Sequence, residues 1–238
     1  MKKSVIFLAG MMVTMIAAGQ NQRMVEEITV TPPKFSAGET LIQGRYFATV
    51  DDYLMQTVQY PQEALANTIR GTEVVRFVVT SEGKVNGFTV INSVCPEMDE
   101  EVIRMLQMTD GLWQPGSVNG EPSAMEQEVS VTFKLHPSDD FVAMAKDYLQ
   151  HGNENLLKSK IRRALKYYDR AVNLLPDEEA LLAVRGLCRY RCGDKAGAEA
   201  DCNRLKSQGY FDDQNTEDSF ADCSSEELKN YAQAIDLK

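Results

Sequence analysis

Five cysteines, two histidines and a short run of acids are the side chains whose types could do chemistry. A zinc site asks for paired thiolates two residues apart or for imidazoles at matching spacing. Cys188 and Cys192 are instead one helical turn apart, and Cys95, Cys202 and Cys223 are scattered, with neither His136 nor His151 placed to join them. No metal or other cofactor is therefore expected. Two thiols one turn apart on one helix suit a disulfide poorly, so a bond from Cys188 or Cys192 to Cys202 and three buried thiols acting as apolar filler stay open together. Cys95 precedes Pro96 and a helix start, a place where a thiol pKa can fall, yet a lone cysteine there is first a packing residue. Asp99, Glu100 and Glu101 read as a solvated first turn, and Lys158, Lys160, Arg162, Arg163 and Lys166 as an exposed basic helix face. The pattern predicts neither an enzyme nor a small-molecule substrate.

The elements that carry these residues are legible from Tyr60 onward. Glu73-Val74-Val75-Arg76-Phe77-Val78-Val79 is a β-branched and aromatic run that predicts a strand. Ser81-Glu82-Gly83-Lys84 supplies a turn glycine, and Val85 to Ser93 returns as the second strand of a hairpin. Glu97 to Leu106 places acids first and apolar residues at helical spacing, which predicts a helix with one buried face. After Leu112-Trp113-Gln114-Pro115-Gly116 and a turn at Asn119-Gly120, Gln127 to Leu135 alternates cleanly. Val129, Val131, Phe133 and Leu135 share one face, as in a strand covered on one side.

This order of motifs resembles the TonB C-terminal domain over about residues 50–135. The residues that carry the resemblance are Tyr60, Pro61 and Ala64, then Gly71 before the first strand, Gly83 in the hairpin, and Trp113, Pro115 and Gly116 before the last strand. It implies a small α+β unit, helices on an antiparallel sheet, and a binding activity in which a sheet edge pairs with an extended segment of a partner, such as an outer-membrane TonB-dependent transporter. The residues expected to present that edge are Val129, Val131, Phe133 and Leu135. A homodimer through the same edge is the alternative occupant.

The N-terminus reads as an export signal over residues 1–19. Met1-Lys2-Lys3 is basic, Val5 to Ile16 is apolar, and Ala17-Ala18-Gly19 is a small-residue cleavage site. The apolar part is shorter than the ~20 residues of a spanning helix, so a periplasmic protein is expected, with inner-membrane anchoring as the alternative if the segment is retained. The formal charge of −10 argues against phosphate-rich partners such as nucleic acids. Residues 20–49 form a polar lead-in, a first unit spans 50–136, and His136-Pro137-Ser138-Asp139-Asp140 marks the boundary to a second.

From residue 141 to about 210 the pattern is helical and repeats. Gly152 and Gly186 are 34 residues apart, as are Ala164 and Ala198. With Tyr168, Ala171 and Pro176, these positions resemble two tetratricopeptide-like helix pairs, although His151-Gly152-Asn153-Glu154-Asn155 makes the first helix polar and weak. Residues 211–238 are expected to hold a linker and an amphipathic closing helix from Ser224 to Leu237. Together the two resemblances imply a cell-envelope protein-binding module with envelope proteins as partners and with the tetratricopeptide-like repeats as a second protein-interaction surface. An energy transducer of the TonB type is the alternative, but its histidine-bearing membrane helix and long proline-rich spacer have no counterpart here. A purely structural scaffold is the third reading.

Overall fold

The computed structural model describes residues 28–36 and 45–209, with Ala232, Ile235 and Leu237 near the C-terminus. The expected signal segment, part of the lead-in, Cys223 and most of the expected closing helix lie outside these residues.

The β-branched run becomes strand β3 (Gly71–Val79), placed between β4 (Val85–Asn92) and β8 (Met125–Phe133) in an antiparallel sheet of order β4-β3-β8. Gly83 adopts φ +77° in the β3–β4 turn, as the turn chemistry requires. Period-two alternation then sets the two faces. Val75, Phe77 and Val79 lie beside Val129, Val131 and Phe133 and are buried under α3 (Pro96–Gln107) through Met98, Val102, Met105 and Leu106. Burial of this set, at ~25 cal/mol per Å² of apolar surface, is what fixes the register.

Around this core, α1 (Val50–Thr57) is capped by Thr49, whose hydroxyl accepts the Asp52 amide, and packs beside β8. A shorter α2 (Gln62–Ala66) follows. The lead-in contributes two short strands. β1 (Val30–Thr31) pairs with β6 (Gly116–Val118), which also pairs with β7 (Glu121–Ser123), and β2 (Lys34–Phe35) pairs with β5 (Trp113–Gln114). Phe35 thereby enters the core, 5.2 Å from the Trp113 ring.

The rest of the described chain is helical. α4 (Phe141–Leu157) and α5 (Ile161–Leu174) form one hairpin, and α6 (Glu179–Arg191) and α7 (Lys195–Ser207) a second. α5 and α7 begin 34 residues apart. The polar look of Gly152 to Asn155 is misleading, because α4 runs 17 residues with Phe141, Ala145, Leu149, Gly152 and Leu156 on one buried stripe. Asp140 caps it, its carboxylate accepting the Val142 and Ala143 amides. Gly152 is the contact point with α5: a Cβ there would stand 2.3 Å from Cε1 of Tyr168. Cys188 and Cys202 are buried free thiols in this core, and burial pushes the Cys188 pKa up to about 12. Ala232 and Leu237 are buried in the same cluster, and the Ala232 carbonyl accepts from Asn153 Nδ2 at 2.6 Å.

The helical hairpins do not stand apart from the sheet. The Thr72 hydroxyl donates to the Leu174 carbonyl at 3.0 Å, and a Cβ on Gly71 would lie 2.8 Å from the Asn173 carbonyl oxygen. Arg70 meets Asp139 at 3.3 Å, and Arg204 of α7 reaches Glu128 of β8 at 2.6 Å. Thr72, Val74, Arg76 and Val78 therefore face the helical part, while the opposite face holds the α3 core.

Candidate functional site: the outer edge of the last strand

A three-stranded sheet has two edges, and these two are unlike. The β3–β4 ladder breaks register between Val74 and Val75 and again between Arg76 and Val78, and Gly87 in β4 sits at φ +63°. Such irregular edges resist further pairing. The β3–β8 ladder instead runs unbroken over nine residue pairs from Gly71↔Phe133 to Val79↔Met125. Among the described residues no strand pairs with the outer side of β8. A groove of about 980 Å³ follows that side, bounded by α1 on one flank and by the corner between α5 and α6 on the other.

Val129, Val131 and Phe133 are 3%, 7% and 5% exposed, so their side chains belong to the core, and of the three only Val131 and Phe133 border the groove. β8 ends at Phe133. Leu135 lies beyond it, with its amide donating to Asp139 Oδ2 at 3.0 Å. The side chains beside the groove are Ser130 and Thr132 on the strand, Met55 of α1, which is 76% exposed, and Leu175 to Glu178 at the helical corner. Sequence reading missed these. Alternation did place Ser130 and Thr132 opposite the buried valines, but nothing local brings α1 or the corner to them.

The remaining motif residues make packing contacts, and of them Tyr60 also lines the groove. Tyr60 donates its hydroxyl to the Ile69 carbonyl and lies edge-on to Phe133 at 5.5 Å, Pro61 precedes α2, and Ala64 is fully buried. Trp113 donates Nε1–H to Thr109 Oγ1 at 3.0 Å and meets Phe77 at 5.5 Å. Pro115 connects β5 to β6, and Gly116 opens β6. Among the helices, Ala164, Ala171 and Ala198 are core residues, Gly186 is buried in α6, and Pro176 is buried at the corner.

Two charged clusters lie away from the edge. A cleft of about 630 Å³ between the sheet and α5 to α7 holds four arginines: Arg76, Arg185, Arg189 and Arg204. Each already has a carboxylate partner. Arg185 and Arg189 grip Asp201 at 2.6 and 3.0 Å, and burial raises the Asp201 pKa against their pull. The second cluster corrects the reading of Asp99 as solvated. Its Oδ1 is buried beside Glu73, a wholly buried carboxyl on β3. Glu73 Oε2 accepts the Val94 amide at 3.0 Å, its Oε1 is buried without a partner among the described residues, and burial, with the adjacent Asp99 carboxyl, pushes its pKa to about 9, so that Glu73 is neutral. Glu101 likewise accepts from the Gln59 amide and Arg104. His136 is exposed and His151 stands 3.7 Å from Asp147, and neither lines the groove. Among the described residues no group of acids, cysteines and histidines is arranged to hold a metal ion.

The fold and its edge define a class: a sheet-and-helix unit whose last strand is unpaired on its outer side among the described residues, followed by a helical region. Residues 56–135, about a third of the chain, match the family model described as Gram-negative bacterial TonB protein C-terminal. No curated protein and no solved structure matches the chain. The match begins within α1 and ends after β8, so it takes in the sheet and α3 and leaves out the helical hairpins.

Proposed function

We propose that this protein is a non-enzymatic cell-envelope binding module whose β8 edge accepts an extended segment of a partner as an added strand. The partner class is the outer-membrane TonB-dependent transporter, and the location is the periplasm. The observation that carries this reading is the unbroken β8 edge, unpaired among the described residues and opening on the 980 Å³ groove, within the region that matches the TonB C-terminal model. Strand addition draws its affinity from main-chain hydrogen bonds and its selectivity from pockets for alternate side chains. The helical hairpins, which we read as tetratricopeptide-like, support the sheet from its second face.

Amide hydrogen exchange on the full chain tests this. Synthetic peptides copying the periplasm-facing extended segments of outer-membrane transporters should slow exchange at alternate amides of Ser130 to Phe133 and leave Asn86 to Thr89 of β4 unchanged. Protection on β4, or none on either strand, overturns the proposal. A concentration-dependent dimer protecting the same β8 amides without peptide would assign the edge to a second copy.

A further inference from the structure

The groove along β8 has a wall that lies outside the region matching the TonB C-terminal model. We propose that the α5–α6 corner, Leu175 to Glu178, is a specificity wall for the added segment. One face of that segment presents apolar side chains to α1, and the other presents basic side chains to the corner. The inference rests on strand addition at β8 and specifies the chemistry of what is added.

Side chains of an added strand alternate between the two faces of the sheet, in step with those of β8. On the face shared with Val129 and Val131, the next neighbour outward is α1, which offers the exposed Met55, with Val58 just past its end. A flexible thioether in the open at the end of a strand edge is an adaptable apolar contact. On the face shared with Ser130 and Thr132, the next neighbour is the corner.

That corner is placed rigidly. Thr72 holds the Leu174 carbonyl, and Arg204 ties Asp177 to Glu128 of β8 itself. The charge of the groove is one-sided. Of the acids that line it, Glu128 and Asp177 are held by Arg204, which leaves Glu178 as the corner's carboxylate without an ion pair among the described residues, and the ammonium of Lys134 is turned to the Asp139 carbonyl at 2.8 Å. Burial, and then the neighbouring Glu179 carboxylate, raise the Glu178 pKa, a penalty that an incoming cation would reverse. Glu178 has no capping duty that would fix its side chain, since it makes no side-chain bond to the first turn of α6. A lysine or arginine at alternate positions of the segment is the complement of this wall.

The test uses the full chain and synthetic heptapeptides that alternate valine with lysine, with serine or with glutamate. Affinity is read by titration calorimetry and the location by amide exchange at Ser130 to Phe133. The expected order is lysine, then serine, then glutamate. Glu178→Lys should weaken the lysine peptide by roughly five- to tenfold and strengthen the glutamate peptide. Glu121→Lys makes the same change in net charge on β7, away from the groove, and should leave the order intact. If β8 is protected equally by all three peptides, or Glu178→Lys and Glu121→Lys act alike, the specificity wall is overturned while strand addition stands. If no peptide protects β8, strand addition fails and the wall with it.

Discussion

Glu73 points from the central strand into a core of valine, phenylalanine and methionine, and it remains protonated there up to about pH 9. A pKa raised in the folded state means that folding favours the protonated form. The corresponding stability is complete below the unfolded carboxyl value near 4.5 and is lost as pH rises towards 9. The slope is on the order of 1.4 kcal/mol per pH unit within that window. Glu73→Gln keeps the shape and the neutral donor. Its urea midpoint should change little between pH 5 and 8.5 while that of the parent falls, and parallel pH curves would remove Glu73 as the cause. This residue was invisible in the sequence: one glutamate in a β-branched run does not declare which face it takes, and Asp99 looked like any acid at a helix start. Trp113 was legible as a packing anchor, because a tryptophan flanked by proline and glycine has few other roles.

At the scale of elements, β3, β4, α3 and β8 could be read from period and turn chemistry alone, with β8 placed at Met125–Phe133 where alternation suggested Gln127 to Leu135. The paired segments at Val30–Thr31 and Lys34–Phe35 could not. Two-residue strands carry no periodicity and exist only because Ser117, Val118, Trp113 and Gln114 come to meet them. The edge was legible as a strand but not as a groove, since its walls come from α1 and from the α5–α6 corner. In the helical part the small-residue spacing was the useful signal. Gly152 admits the Tyr168 ring at a distance no Cβ allows. Gly152→Ala should cost about 1–3 kcal/mol despite alanine's better helix propensity, because α4 and α5 must separate or Tyr168 must leave its rotamer. Pairing it with Tyr168→Leu removes the clash and the Asn153 hydrogen bond together. The double variant should therefore recover part of the loss in a thermal melt. An additive double variant would place the strain elsewhere.

Across the whole molecule, the decisive feature is that sheet and helices share one charged seam. Arg204 is 10% exposed and spans Glu128 on β8 and Asp177 at the corner, while Glu128 also meets Arg76 at 3.3 Å. Removing Arg204 leaves Glu128 with Arg76 alone and Asp177, 55% exposed, to solvent, so the loss is that of a partly buried bridge. Arg204→Ala should therefore destabilise the protein by about 1–2 kcal/mol, and Glu128→Gln by less, since Glu128 is the more exposed of the two. The informative quantity is their coupling. If the seam joins the two parts into one cooperative unit, the double variant should be more stable than the sum of the singles predicts, by roughly 1–2 kcal/mol, and urea unfolding should stay a single transition in the parent. Additive effects would leave the Thr72–Leu174 hydrogen bond and the Gly71 approach as the connection. A parent that unfolds in two steps, sheet and helices separately, would mean that the corner moves relative to β8, and a moving corner could not select the charge of an added strand.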